Sequence, residues 1–361
     1  MPQDSSNSST VMRHKGKLHM QGGRLNWIDT IKSLAVLAVI FDHNYNYLYH
    51  NKTLWSFSYF SVTAFIFVMG VTSSISLSKH ENFQPLVYIK KRSVSIIYPY
   101  LIASLIYHIY QNRGIFFLVS FLKQLVTFSA SSPFYFIFLY LQLVLIVPWL
   151  FKIYTGKGTV TQFLIVGILA IIGTLLTTNT LIEGIYGGGG RILGGTYLFV
   201  CGLGILFYFY IKHLFKLIPS VVIFLLSITT LCFFLTYDLF QQARSNPPNT
   251  YLIVYTMALC GLVFSLNNLV VVKLSFLSNI VTFSNIIGRY SLEIFLYHLL
   301  FINLAYKIAH PMNIWILRVY IMTAAIIPPI LISILGRKIK TYLDLRKVGF
   351  MAVHGTSEKA K

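Results

Sequence analysis

The chain has 361 residues, of which 56% are hydrophobic and only 11% charged, with a formal net charge of +20 and a mean hydropathy of +0.71. Soluble domains carry about a quarter charged residues, so this composition excludes an ordinary soluble enzyme and specifies a multi-span membrane protein. The positive-inside rule then accounts for the basic excess without nucleic acid. Cys201, Cys232 and Cys260 each fall inside an apolar run, with neither metal-ligand spacing nor a disulfide framework.

Residues 1–26 are polar and Ser-rich, with Arg13, Lys15, Lys17 and Arg24 ahead of the first apolar run. They read as a disordered cytoplasmic segment with no cleavable signal. The first apolar run nevertheless holds Asp29, Lys32, Asp42 and His43. A charge near the centre of a membrane helix costs at least about 2.5–3.5 kcal/mol, so each needs a partner or a function. Lys32 and His43 are eleven residues apart, which at about 100° per residue puts them within roughly 20° of one face. At about 1.5 Å per residue they lie roughly 16 Å apart along the axis, the ammonium at one membrane surface and the imidazole near mid-depth. That arrangement suits a cation holding an anionic group at an entrance and a base deeper in.

His43 also has a structural reading, as a core histidine satisfied by a neighbouring helix. The shared face with Lys32 and the adjacent Asp42 favour the chemical reading, in which a neutral imidazole takes a proton from an attacking hydroxyl. Asp42 sits about 100° round the helix, so it either helps His43 indirectly or pairs with a cation elsewhere. Asp29 and Lys32 have the spacing of a local ion pair.

Hydropathy predicts ten spans, at 30–49, 57–76, 94–110, 134–151, 161–178, 193–212, 218–236, 251–270, 287–307 and 313–336. An even number places both termini on one side. Twenty of the 29 Lys and Arg residues fall on that side, and six (Lys52, Arg113, Lys123, Arg191, Arg244, Lys307) fall on the other. The asymmetry assigns both termini to the cytoplasm. The expected organisation is an all-α, ten-helix membrane domain over 27–337 followed by a basic cytoplasmic tail at 338–361. The apolar stretch 114–130 is short and interrupted by Lys123, and reads as an amphipathic or re-entrant helix on the outer face. Residues 271–286 are expected along the cytoplasmic surface. Gly184 to Gly195 lacks the strand and helix context of a phosphate loop and reads as a flexible outer loop or lid.

Two further clusters carry chemistry. Lys90, Lys91 and Arg92 precede the third span. The orientation rule alone accounts for the two lysines, whereas Arg92 lies nearest the membrane, where its planar fork suits a phosphate. Later, Arg289 and Glu293 are spaced to neutralise each other. His298 lies eleven residues into a helix that also starts at the cytoplasmic side, so its depth matches that of His43. Two histidines at one level suggest a polar chamber, unless His298 only bonds a backbone carbonyl. Arg318, near the outer end of the last span, either snorkels to the surface or faces that chamber from outside.

In this order the clusters resemble the acyltransferase 3 family of membrane-bound O-acyltransferases. A basic residue, ten others and a histidine match Lys32 to His43. A basic cluster before a Tyr/Pro-containing span matches Lys91, Arg92 and Pro99. A late motif matches Gly288, Ser291, Leu292, Ile294, Leu296 and His298, and Tyr135 stands where many members have Trp. The resemblance runs from about Arg24 to Arg337. It implies acyl transfer from cytoplasmic acyl-CoA, usually acetyl-CoA, to a hydroxyl of a cell-surface or lipid-linked glycan, in a bacterial cytoplasmic membrane and with no metal. It further implies that Lys32, Lys91 and Arg92 receive the donor's phosphates, that His43, with Asp42 beside it, is the base or a transient acyl carrier, and that His298, Tyr135 and Arg318 line the substrate chamber. Membrane lipids and other surface-polymer biosynthesis proteins are the expected neighbours, and the extracellular hydrolase-like domain of some relatives is expected to be missing. The competing class is a transporter or flippase of a glycan or lipid-linked intermediate, which would also need ten spans and polar residues at mid-depth. No internal repeat supports it.

Overall fold

A computed structural model describes residues 20–21, 24–48, 52–79, 83–178, 182–269, 275–309 and 313–355. The elements are α1 (Asn26–Leu48), α2 (Lys52–Ser58), α3 (Phe60–Leu77), α4 (Pro85–Gln111), α5 (Leu118–Thr127), α6 (Tyr135–Tyr154), α7 (Thr159–Thr177), α8 (Glu183–Tyr186), α9 (Tyr197–Leu214), α10 (Leu217–Thr236), α11 (Thr250–Leu269), α12 (Ser275–Arg289), α13 (Ser291–Ile308) and α14 (Ile314–Gly355). Among the described residues the only strands are the two-residue pieces Met20–Gln21 and Arg24–Leu25, paired antiparallel just before α1. Residues 1–19 of the segment expected to be disordered lie outside the described residues.

Nine helices among the described residues are long and apolar enough to cross a membrane, and each falls on one of the expected spans. The tenth, α1, is long enough at 23 residues, about 34 Å. Its charged and amide residues lower its hydropathy, so it depends on the bundle to hide them. Asp29, Ser33 and Asn44 are buried there. Asn44 shows how: its Nδ2 donates to the Ile40 carbonyl at 2.7 Å, and its Oδ1 accepts from the Tyr306 hydroxyl at 3.2 Å.

At the centre lies α3, whose residues are buried almost all the way round. It crosses α9 where Gly70 meets Gly204: a Cβ on Gly70 would stand 3.0 Å from the Gly204 Cα. Small residues let the two backbones touch, which is how membrane helices gain packing energy when lipid is as apolar as the core. The periphery is formed by α7, α10 and α14, whose Ile171, Leu226 and Leu331 are exposed, as lipid-facing residues must be.

Three elements differ from expectation. With Pro85 in its first turn, α4 starts about two and a half turns before the apolar run, so Lys90, Lys91 and Arg92 lie on the helix instead of ahead of it. Beyond its span, α14 continues to Gly355, and no proline follows Pro329 within it. The Gly-rich segment is packed, not loose. A Cβ at Gly190 would stand 2.8 Å from the Ile182 carbonyl oxygen, and one at Gly195 2.6 Å from the Thr177 hydroxyl. Arg191 pins the segment by pairing with Glu183 at 3.1 Å and donating to the carbonyls of Thr177 and Asn246 at 2.6 and 3.2 Å.

The other two irregular segments each form a short helix, with residues 271–274 outside the described residues and the expected start of the ninth span, residues 287–289, belonging to α12. The ten-residue helix α5 has no buried residue and does not span. It is tied back to α4 by Gln124, whose Oε1 bonds His108 Nδ1 at 2.8 Å, and by the Tyr100 hydroxyl, which donates to the Leu125 carbonyl at 2.8 Å. Packed along α1, the amphipathic α12 is a separate helix from the span α13, with Tyr290 between them.

Candidate active site

The site begins with two rings on facing helices. His43 of α1 and His298 of α13 have centroids 5.2 Å apart and planes inclined by 40°, so the equal depth read from the two spacings becomes direct contact. His298 is completely buried. Its Nδ1 lies 2.8 Å from the Phe295 carbonyl oxygen and 3.2 Å from that of Ile294. A carbonyl can only accept, so Nδ1 carries the proton and Nε2 is left as a bare lone pair. That Nε2 has no hydrogen-bond partner, an unusual state for a buried polar atom and one that functional sites supply. The backbone bond foreseen for His298 therefore does not exclude chemistry; it fixes the tautomer. Two residues further on, the Leu300 amide donates to the Tyr107 hydroxyl at 2.9 Å, so α4 braces α13 beside the ring. His43 is half-buried, and among the described residues its ring makes no hydrogen bond.

Towards the end of the bundle assigned to the cytoplasm, a cavity of about 200 Å³ is lined by Lys32, Arg92, Tyr140, Arg289, Phe136 and Phe295, among others. Three cations from α1, α4 and α12 meet at one mouth. Arg92 donates from Nη2 to the Tyr140 hydroxyl at 2.7 Å while its Nε stays buried without a partner. A guanidinium with an unspent donor facing a cavity is suited to a bidentate anion such as a phosphate. Lys32 is 3.7 Å from Asp29, the local pair expected from their spacing. Arg289 joins the cavity, because the partner expected for it is taken: Glu293 bonds Arg337 at 3.1 Å and Ser333 at 2.8 Å, both from α14. The Arg289–Glu293 pairing is thus corrected; the cross-helix cation outcompetes the local one.

The floor of the cavity is aromatic. Phe136 packs on Phe295 with centroids 5.0 Å apart, and Phe295 lies 6.1 Å from the His298 ring. Neither histidine lines the cavity itself, so the Phe136–Phe295 pair stands between the cationic mouth and the two imidazoles.

Residues 25–337, nearly the whole chain, match the family model of the acyltransferase 3 acyltransferase domain. The chain belongs to this family. No curated protein and no solved structure matches it. This membrane acyltransferase thus brings Lys32, Arg92, His43 and His298 into one column through the bundle, but not every residue singled out in its sequence.

Lys91 is exposed on the other side of α4, beside a cavity of about 50 Å³ with Tyr88 and Gln84. Asp42 spends its hydrogen bonds elsewhere than on His43. It accepts from the Trp55 indole at 2.5 Å and from the Ser58 hydroxyl at 3.5 Å, so it ties α1 to α2. Tyr135 donates to the Asn246 side chain at 2.8 Å, as does Tyr197 at 2.9 Å, which closes the outer side of the bundle. Arg318 lies over the exposed Trp315 ring at 4.5 Å, a placement at the periphery that suits snorkelling.

Reading the sequence missed two groups. Tyr45, Trp55 and Tyr59 form an aromatic cluster around Asp42, with Tyr45 stacked on Trp55 at 4.8 Å and Tyr59 edge-on at 5.2 Å. Trp55 sits in the short α2, which hydropathy cannot separate from the following span. Arg289 was the other, hidden by a plausible neighbour at i+4.

Proposed function

We propose that this acyltransferase moves an acyl group, acetyl being the leading candidate, from cytoplasmic acyl-CoA to a hydroxyl of a cell-surface or lipid-linked glycan, with His43 as the base. The observation that carries this reading is the column formed by three cations at one mouth and two imidazoles in contact below it. Lys32, Arg92 and Arg289 are suited to the donor's phosphates, with Lys91 on the surface of approach. The slender pantetheine arm would pass the Phe136–Phe295 pair, whose rings must swing aside to admit it.

At the imidazoles the chemistry follows from the rings. The neutral ring of His43 takes the proton of the acceptor hydroxyl as its oxygen attacks the thioester carbonyl, and the tetrahedral intermediate then expels CoA thiolate, which recovers a proton from the imidazolium. His298, locked with its bare Nε2 towards the site, supplies a second basic atom that orients His43 or shares its proton. Apolar walls exclude bulk water and so limit hydrolysis of the thioester. On the outer side the Tyr45–Trp55–Tyr59 cluster, with the Asp42 carboxylate at its edge, offers ring faces and an acceptor of hydroxyl hydrogen bonds, which are the contacts a sugar needs.

The test is reconstitution of the purified chain in vesicles with labelled acetyl-CoA inside and a glycan acceptor outside. Donor-dependent labelling of the acceptor is expected. Arg92→Ala should raise KM for the donor at least tenfold with a smaller change in kcat, because it removes ground-state binding of phosphate. Movement of glycan with no need of donor would instead establish the transporter reading.

A further inference from the structure

A large cavity lies away from the histidines. It occupies about 1280 Å³ between α7, α9, α10 and α11, above the roughly 300–1,000 Å³ of ordinary small-molecule sites. Its origin is topological: α7 packs on α9 and α10 packs on α11, which leaves the seam between α7 and α10 open sideways. Phe163 and Leu226 on its two lips are 55% and 64% exposed.

Its length is the informative quantity. Along α9 the lining extends from Thr196 to Leu214, eighteen residues and so about 27 Å, and along α7 from Phe163 to Thr177, about 21 Å. The hydrocarbon core of a bilayer is about 30 Å thick, so one leaflet supplies tails about 15 Å deep. A groove this long therefore fits a tail that continues past the bilayer midplane. The walls are mostly apolar, with Thr174, Tyr210, Ser227 and Thr230 interspersed, and the polar groups gather at the outer end, where the loop 244–249 forms the rim. Among the described residues the Arg244 guanidinium has no hydrogen-bond or ion-pair partner, in contrast to Arg191 beside it, which is spent on Glu183. Asn246 belongs to this rim and at the same time accepts from Tyr135 and Tyr197, so the groove and the bundle interior share one wall.

From this we infer that the groove between α7 and α10 holds the hydrocarbon tail of a long-chain lipid phosphate that carries the glycan acceptor, with its phosphate against Arg244. The lipid's role as acceptor carrier rests on the transfer reading above; its binding does not. Held there, the lipid would present its sugars at the outer surface beside the aromatic cluster, and a membrane-embedded enzyme would receive its acceptor by lateral diffusion.

The probe is a polyprenyl phosphate with a photoreactive tail, in phosphatidylcholine vesicles with the full chain and without acyl-CoA. Cross-links are expected on α7, α9, α10 and α11. Thr174→Trp, an exposed position on the groove wall, should abolish them, and Arg244→Gln should weaken capture about tenfold for the phosphate and leave the corresponding alcohol unchanged. Cross-links elsewhere, equal capture of phosphate and alcohol, or displacement by an equal amount of phosphatidylglycerol would overturn the inference. A chain that hydrolyses acyl-CoA but captures no lipid refutes the groove alone, whereas one that captures lipid but never transfers acyl refutes the transfer reading and leaves the groove standing.

Discussion

Gly288 offers the sharpest test of how the cationic mouth is built. It lies near the end of α12 where that helix rests on the first turn of α1, and a Cβ there would overlap the carbonyl oxygen of Asp29 and stand 2.7 Å from its carbonyl carbon and 2.9 Å from its Cα. Carbon atoms pack at about 3.5–4.0 Å, so clearing the carbonyl carbon alone makes Gly288→Ala part the two helices by roughly 0.8–1.3 Å, and the overlapped oxygen demands at least as much. Overpacking of that size costs about 1–3 kcal/mol. It also moves Arg289, the next residue, away from Lys32, one turn along α1 from Asp29. A shift near 1 Å in a positioning group can cost about 10²-fold, so kcat/KM for acyl-CoA should fall by about tenfold to a hundredfold, chiefly through KM. Thermal unfolding in detergent together with donor titration measures both. Gly167→Ala is the control: nothing lies within 4 Å of its Cβ position on α7, and alanine is the better helix former by about 1 kcal/mol. If Gly288→Ala unfolds and titrates like the control, the helix contact does not set the mouth.

Other variants separate structure from chemistry. His298→Ala should lower kcat by about 10²-fold or more, the scale of a lost proton-transfer group, and leave donor KM unchanged because Lys32, Arg92 and Arg289 are untouched; a change confined to KM would refute its place beside His43. Glu293→Gln should cost less than about 1 kcal/mol, since Arg337 is 59% exposed and such pairs are weak, and steady-state kinetics should not move. A large rise in donor KM there would mean that Glu293 governs Arg289 after all.

The ten spans were legible because lipid demands about twenty apolar residues per crossing, whatever the helix then packs against. Helical spacing alone placed Lys32 and His43 on one face, and matching depth from the cytoplasmic side put His298 level with His43. What could not be read was which of several compatible partners wins. Glu293 has Arg289 four residues away and Arg337 forty-four away; only the fold reveals that α14 lies closer. Asp42 likewise takes Trp55 and not His43, a choice made by where α2 folds back. The Gly-rich segment read as loose because glycine lacks a side chain to pack, whereas in the structure that lack is what lets Gly190 and Gly195 press against neighbouring backbone and side chain. Lipid-facing and core-facing apolar residues are chemically alike, so nothing in the sequence of α7 or α10 announced the groove between them.

The measurement that bears most directly on the whole account is transfer of label from acetyl-CoA by His43→Ala. The ring is half-buried and among the described residues makes no hydrogen bond, so its removal should leave the melting temperature within a few degrees of the parent. Transfer and slow donor hydrolysis should both vanish, with donor binding retained at the cationic mouth. A folded variant that still turns over at the parental rate would contradict the assignment of the base and, with it, the mechanism.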